Sequence, residues 1–145
     1  MINERLDKLE KKYSVVNKTT VVDLLNNLQL EEMANSGLVR IGSHTCHHKR
    51  LLDNLTKDEI DLEIKKSKEI LQSNLDVPVN LFCYPNGDYS EYALAVVREN
   101  YLGACSTTRG WNTPESNRLL LKRIGLHEDV SSTQRQFLAK ISGLI

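Results

Sequence analysis

The residue types best suited to chemistry lie in one stretch, Leu38 to His48, which reads LVRIGSHTCHH. It places His44, His47 and His48 within five positions, directly after a short apolar run. Neutral imidazole nitrogens are common zinc ligands, so two histidines four apart, with small residues between them, could form half of a divalent metal site. His44 and His48 are therefore the candidate metal ligands. Thr45 could orient one ring by a hydrogen bond, fixing the tautomer that presents a lone pair to a metal. Two ligands do not complete a site, because a metal takes three or four. A polar surface loop whose histidines meet only water has the same spacing. His47 lies between the pair and is free to point elsewhere.

The elements that must position these histidines can be read around them. Val39 and Ile41 alternate with Arg40 as in a strand, and Gly42 and Ser43 break the run, which predicts a loop at a strand's C-terminal end. In parallel α/β proteins that rim is where sites are built. Upstream, residues 4 to 12 read as a short charged helix. Thr20 with Asp23 resembles a capping box for a helix that carries Val21, Leu24, Leu25, Leu28 and Met33, ends near Asn35 and stops at Gly37. Residues 1 to 36 thus form a helical lead-in. Downstream, Thr56 with Glu59 is a second capping box, and Ile60, Ile64, Ser67, Leu71 and Leu75 mark one face of a helix to about Leu75. Acids crowd its first turns and lysines follow, an order that suits the helix dipole and reads as a solvated face.

The remaining chain continues in the same alternation. Val79 to Tyr84 predicts a strand ended by the turn residues Pro85, Asn86 and Gly87, and Ser90 to Asn100 predicts a helix. Gly103 to Thr107 and Leu119 to Leu126 predict two further strands, separated by a polar loop that contains Trp111. Ser131 or Ser132 opens a last helix through Phe137, Leu138 and Ile141 that stops at Gly143. Such an order argues for an α/β fold with parallel strands and helices packed outside them. At 145 residues, the chain is long enough for a single domain with one real core.

Charge and composition exclude several classes of function. Lys plus Arg and Asp plus Glu number 19 each, so the net charge is zero and no basic field draws the chain to nucleic acid or an anionic membrane. No apolar run approaches the roughly 20 residues that span a bilayer, and the N-terminus as written has no secretory h-region, which predicts a cytoplasmic protein. Cys46, Cys83 and Cys105 are odd in number and widely spaced, and suggest neither a disulfide framework nor a CxxC zinc site. A structural zinc site made from Cys46 with His44, His47 and His48 is disfavoured, because four ligands within five residues can rarely surround one tetrahedral ion.

Three separated motifs, GSHTCHH at 42–48, FCYPNGDY at 82–89 and LLKRIGLHEDVS at 120–131, resemble the second, third and last motifs of the polysaccharide deacetylase family, the NodB-homology domain. The approach EEMANSGL to the first of them fits as well. The resemblance implies a distorted (β/α) barrel, here a partial one. It also implies a divalent metal, expected to be zinc, held by one aspartate and two histidines and used to hydrolyse N-acetyl groups on a carbohydrate. His44 and His48 fall on the two histidine ligand positions. Tyr84, Asn86 and Trp111 are the expected substrate-binding residues: the Asn86 backbone N–H for the developing oxyanion, and Trp111 as a wall for a sugar ring, with simple packing as its other reading. His127 is the expected catalytic acid of the last motif, or else an exposed loop histidine. Asp88 is expected to be a turn residue, and Cys83 stands where some branches carry arginine.

The sequence departs from the family at its first motif, Thr-Phe-Asp-Asp-Gly, which supplies both the catalytic base and the aspartate ligand and does not occur here. The acids before His44 are Glu4, Asp7, Glu10, Asp23, Glu31 and Glu32, and none follows an apolar strand. The chain is thus expected to correspond to the C-terminal portion of a deacetylase. Its alternative function is that of an inactive half-enzyme or binding module. An open sheet lacking its first strands would expose edges, which predicts a homo-oligomer or completion by an N-terminal half.

Overall fold

The helix that follows the histidine loop carries much of the packing. In the computed structural model, which describes residues 24–127 and 131–143, it starts as α2 (Lys57–Asp61), widens into a π-helical turn (Leu62–Lys66) and continues as α3 (Ser67–Leu75). Thr56 and Glu59 form the expected reciprocal capping box, and Asp76 ends the helix in the left-handed region at φ 49°. Ile60, Ile64, Ser67 and Leu75 are buried on one face, as their spacing predicts.

Ahead of it, α1 (Asn27–Asn35) begins later than the sequence suggests. Asn26 accepts from the Gln29 N–H while the Gln29 side chain accepts from the Asn26 N–H, and this reciprocal pair fixes the helix start. Thr20, Asp23 and the charged helix predicted over residues 4–12 lie outside the described residues. Leu24, Leu25 and Leu28 are exposed.

The sheet has three parallel strands in the order β1 (Leu81–Cys83), β2 (Gly103–Arg109), β3 (Leu121–Arg123). The connection from β1 to β2 runs through a 3-10 turn (Pro85–Gly87) and α4 (Glu91–Asn100), whose N-cap is Ser90 and whose Ala93, Leu94, Val96 and Val97 are buried. The last helix, α5 (Gln134–Ile141), is capped by Thr133 with Gln136, two residues later than Ser131.

Three predicted strands fall short of their sequence runs, and that of Val79 to Tyr84 is confined to Leu81–Cys83. Leu38 to Ile41 forms no strand, and only Ser43 makes a single parallel bridge to Phe82. Among the described residues that run has no ladder neighbour, and Leu38 is exposed. The fourth predicted strand begins at Leu121 because Leu119 and Leu120 donate to the Asn117 side chain and carbonyl in a preceding turn. The core lies between the sheet and the helices and centres on Phe82, Tyr84, Tyr101, Ile64 and Val97. Phe82 stacks edge-on to Tyr84, with centroids 5.2 Å apart, and burying such a ring contributes about 1.5–3 kcal/mol.

Candidate metal centre

The bridge at Ser43 sets the position of the histidines. Ser43 donates its N–H to the Leu81 carbonyl at 2.8 Å, and Cys83 donates to the Ser43 carbonyl at 2.9 Å, so the chain leaves the sheet at the C-terminal end of β1. His44 is the next residue, and its Nδ1 lies 2.8 Å from the Cys83 carbonyl. A carbonyl only accepts, so Nδ1 carries a proton in this contact, and in the neutral ring Nε2 then keeps its lone pair. The orienting group is thus a backbone carbonyl of the neighbouring strand. The Thr45 hydroxyl, the expected partner, is buried and makes no hydrogen bond among the described residues.

His44 and His48 come together although no helix brings them there. Their ring centroids are 4.8 Å apart at an interplanar angle of 73°. Thr45 and His48 adopt positive φ values of 69° and 55°, and these two left-handed steps turn the loop back on itself. Each costs a non-glycine residue roughly 1–2 kcal/mol, which other contacts must offset.

Glu63 supplies those contacts. The residue sits in the π-helical turn, is wholly buried, and accepts three hydrogen bonds from the loop. Its Oε2 receives the N–H groups of Cys46 and His47, both at 2.9 Å, and its Oε1 lies 2.7 Å from His47 Nδ1. Successive N–H groups converging on one oxygen form an anion-binding nest. Burial pushes the Glu63 carboxyl up, but the hydrogen bonds from the His47 backbone and ring and from the Cys46 N–H outweigh it and hold the group below the ordinary carboxylate range. The sequence reading assigned the helix charges to a solvated face and missed Glu63. Its position between Leu62 and Ile64, at the edge of the apolar stripe, was the available signal.

The motif that follows β1 is tied to the same loop. Arg50 Nε contacts Asp88 Oδ2 at 2.5 Å, and Ser90 donates to the Leu51 carbonyl, so Asp88 is an ion-pair partner as well as a turn residue. Asn86 is exposed, with φ 54°. Its carbonyl accepts from the Thr107 hydroxyl at 2.9 Å, while its N–H makes no hydrogen bond among the described residues. Gly87, at φ 79°, admits no side chain, because a Cβ there would stand 2.2 Å from Thr107 Oγ1.

The other expected site residues lie apart from this cluster or beneath it. Tyr84 is 1% exposed and packs between Phe82 and Tyr89. Its hydroxyl is enclosed and has no hydrogen-bond partner among the described residues, and burial pushes its pKa well above the ordinary phenol range. Trp111 lies beside Gly143 at the end of α5, lining a hollow with Arg109, Ile124 and Lys140. His127 is exposed, its ring stands next to Gly125, and its carbonyl accepts from Ser131. Cys83 and Cys105 are register partners on β1 and β2. Burial raises the Cys83 thiol pKa.

The donor chemistry of His44 and His48 fits two positions on a divalent metal. Among the described residues no group of three or more His, Cys, Asp or Glu side chains converges, so the set is one ligand short there. No described helix is long and apolar enough to cross a membrane.

Residues 9–104 match the family model described as Polysaccharide deacetylase. A proposed polysaccharide deacetylase from Bacillus anthracis is similar in structure, with a TM-score of 0.72 and 25% identity over 96% of this chain and 47% of that one. A Bacillus cereus polysaccharide deacetylase gives the same TM-score and coverage at 24% identity. A Streptococcus pyogenes deacetylase in complex with acetate gives 0.72 and 24% over 83% of this chain and 52% of its own. The chain thus spans about half the length of these structures. No curated protein matches it.

Proposed function

The chain belongs to the polysaccharide deacetylase family, and from that membership we propose that it carries the two-histidine part of a metal-dependent site for hydrolysing N-acetyl groups on a carbohydrate. The observation that supports this most is the convergence of His44 and His48 on an exposed loop at the end of β1, with the His44 Nδ1 held by the Cys83 carbonyl. These two side chains would hold a divalent metal, expected to be zinc. When bound, such a metal supplies Lewis acidity towards an amide carbonyl and towards a water nucleophile.

The chain's own residues have definable parts in that chemistry. The Cys83 carbonyl holds the His44 ring in one tautomer and orientation. The Asn86 N–H, which makes no hydrogen bond among the described residues, would offer a donor for charge developing on a carbonyl oxygen, a role that needs no particular side chain. Amide hydrolysis also needs a carboxylate to take the proton of the water and an acid to protonate the departing amine. No carboxylate among the described residues stands with the histidine pair. His127 would serve as the acid only if its loop brought the ring to the pair.

That missing carboxylate favours a second reading, a half-enzyme that binds metal or sugar without turnover. The two are separated by measuring acetate release from N-acetylglucosamine oligomers by the full chain with and without added Zn²⁺. Zinc-dependent release that His44→Ala abolishes supports the hydrolase. Zinc binding without release supports the half-enzyme.

A further inference from the structure

Glu63 is a buried acid to which neither the family's chemistry nor the packing of the core gives a task. We propose that Glu63 is a positioning residue: through the backbone of the Thr45–His48 turn it sets the His44 and His48 rings together. The inference takes its functional meaning from the reading of those histidines as metal ligands, but its geometry stands independently.

Four observations carry it. All three hydrogen bonds that reach Glu63 come from Cys46 and His47, the two residues enclosed by the left-handed residues Thr45 and His48. Both carboxylate oxygens are engaged, so the loop is held at its backbone and at one side chain together. A turn that carries two positive-φ residues of ordinary type unwinds unless its surroundings over-determine it. Finally, Glu63 lies in the π-helical turn, which is itself fixed: the Ile64 carbonyl accepts the hydroxyls of Ser67 and Tyr101, and the Ser67 hydroxyl contacts that of Ser43. The residue before His44 and the residue after Glu63 are thereby joined through one hydroxyl network, which gives the carboxylate a rigid base. His47 shares this structural role through its ring Nδ1, and among the described residues it does not complete a group of three potential ligands.

The test uses the full chain with Co²⁺ as the metal probe, alongside nuclear magnetic resonance of the histidine rings. The variants are Glu63→Gln, His47→Ala and His44→Ala. The unmodified chain should bind one Co²⁺, and His44→Ala should abolish that binding. Glu63→Gln should weaken binding by about 10-fold, the low end of what loss of an outer partner of a ligand costs, because Glu63 acts through the loop backbone and not on a ligand ring. It should also change the visible Co²⁺ spectrum and, without metal, weaken the ring-to-ring cross-peaks between His44 and His48 while the Phe82 resonances stay in place. His47→Ala keeps two of the three hydrogen bonds and should give a smaller change of the same kind.

Unchanged Co²⁺ affinity, spectrum and His44–His48 cross-peaks in Glu63→Gln would overturn the proposal while leaving the metal site intact. If the unmodified chain fails to bind Co²⁺, the metal reading fails, and the cross-peaks alone decide whether Glu63 positions the rings. If Glu63→Gln does not fold, His47→Ala decides. Loss of cross-peak intensity in a folded chain supports the proposal, and no change overturns it.

Discussion

The histidine loop and the described parts of the stretch from Trp111 to Gly143 each carry many exposed residues, yet they are held in different ways. The loop is fastened to other parts of the chain by the His44–Cys83 hydrogen bond, the three bonds to Glu63 and the Arg50–Asp88 pair. Much of the later stretch is held by near neighbours: Thr113 with Ser116, His127 with Ser131 and Thr133 with Gln136. Exposure alone therefore does not separate a candidate site from a surface segment. Long-range hydrogen bonds that impose an otherwise costly backbone do.

The largest expected contrast lies in the packing beneath the two regions. Phe82→Ala should cost about 3–5 kcal/mol in denaturant unfolding, since the ring is almost wholly buried under the bridge that carries His44. Phe137→Ala in α5 should cost about 0.5 kcal/mol or little more, because that ring is 40% exposed. Equal losses would show that α5 is as firmly docked as β1.

Glu63→Gln comes next, at about 1–3 kcal/mol, because buried N–H groups lose a charged acceptor. Its sign with pH is fixed by the lowered carboxyl pKa. The stabilisation is fully present above the ordinary carboxylate value of about 4.3 and fades as pH falls through the folded-state value. Thermal unfolding from pH 7 to pH 3 should therefore show the gap between the original chain and Glu63→Gln closing at the acid end. A gap that widens there would contradict the assignment.

The smallest effects sharpen the comparison at the level of local capping. Thr56→Ala and Thr133→Ala each remove the hydroxyl of a capping box and should each cost about 1 kcal/mol of local helix stability. Global unfolding should report the first in full, because α2 packs on the core. Amide exchange in α5 should report the second, with little change in the global midpoint.

The same division explains what could be read from the sequence. The Thr56–Glu59 box, the Ile60–Leu75 face, the Pro85–Gly87 turn and the α4 boundaries depend on residues a few positions apart, and they agree with the structure. The parallel order of β1, β2 and β3 followed from the alternation of strands with helices and loops. The expected strand over Leu38–Ile41 failed because an apolar run becomes a strand only when a neighbour pairs with it. The helix that ends near Asn35 starts at Asn27 because Gln29 completes a capping box with Asn26, and Gln is as able as Glu to do so.

Within the site, the spacing of His44 and His48 pointed to the pair, but its geometry was not legible. It depends on Cys83 and Glu63, which are 39 and 16 positions from the residues they hold. Tyr84 is the opposite case. Its neighbours in FCYPNGDY suggested contact with a substrate, whereas the strand alternation that buries Phe82 ends here with Tyr84 also inside, its hydroxyl enclosed.

The central claim is that His44 and His48 act together as metal ligands, and calorimetric titration of the metal-stripped full chain with Zn²⁺ tests it most directly. One ion per chain should bind, and binding should be lost in both His44→Ala and His48→Ala. Absence of binding, or binding that neither substitution alters, would contradict it.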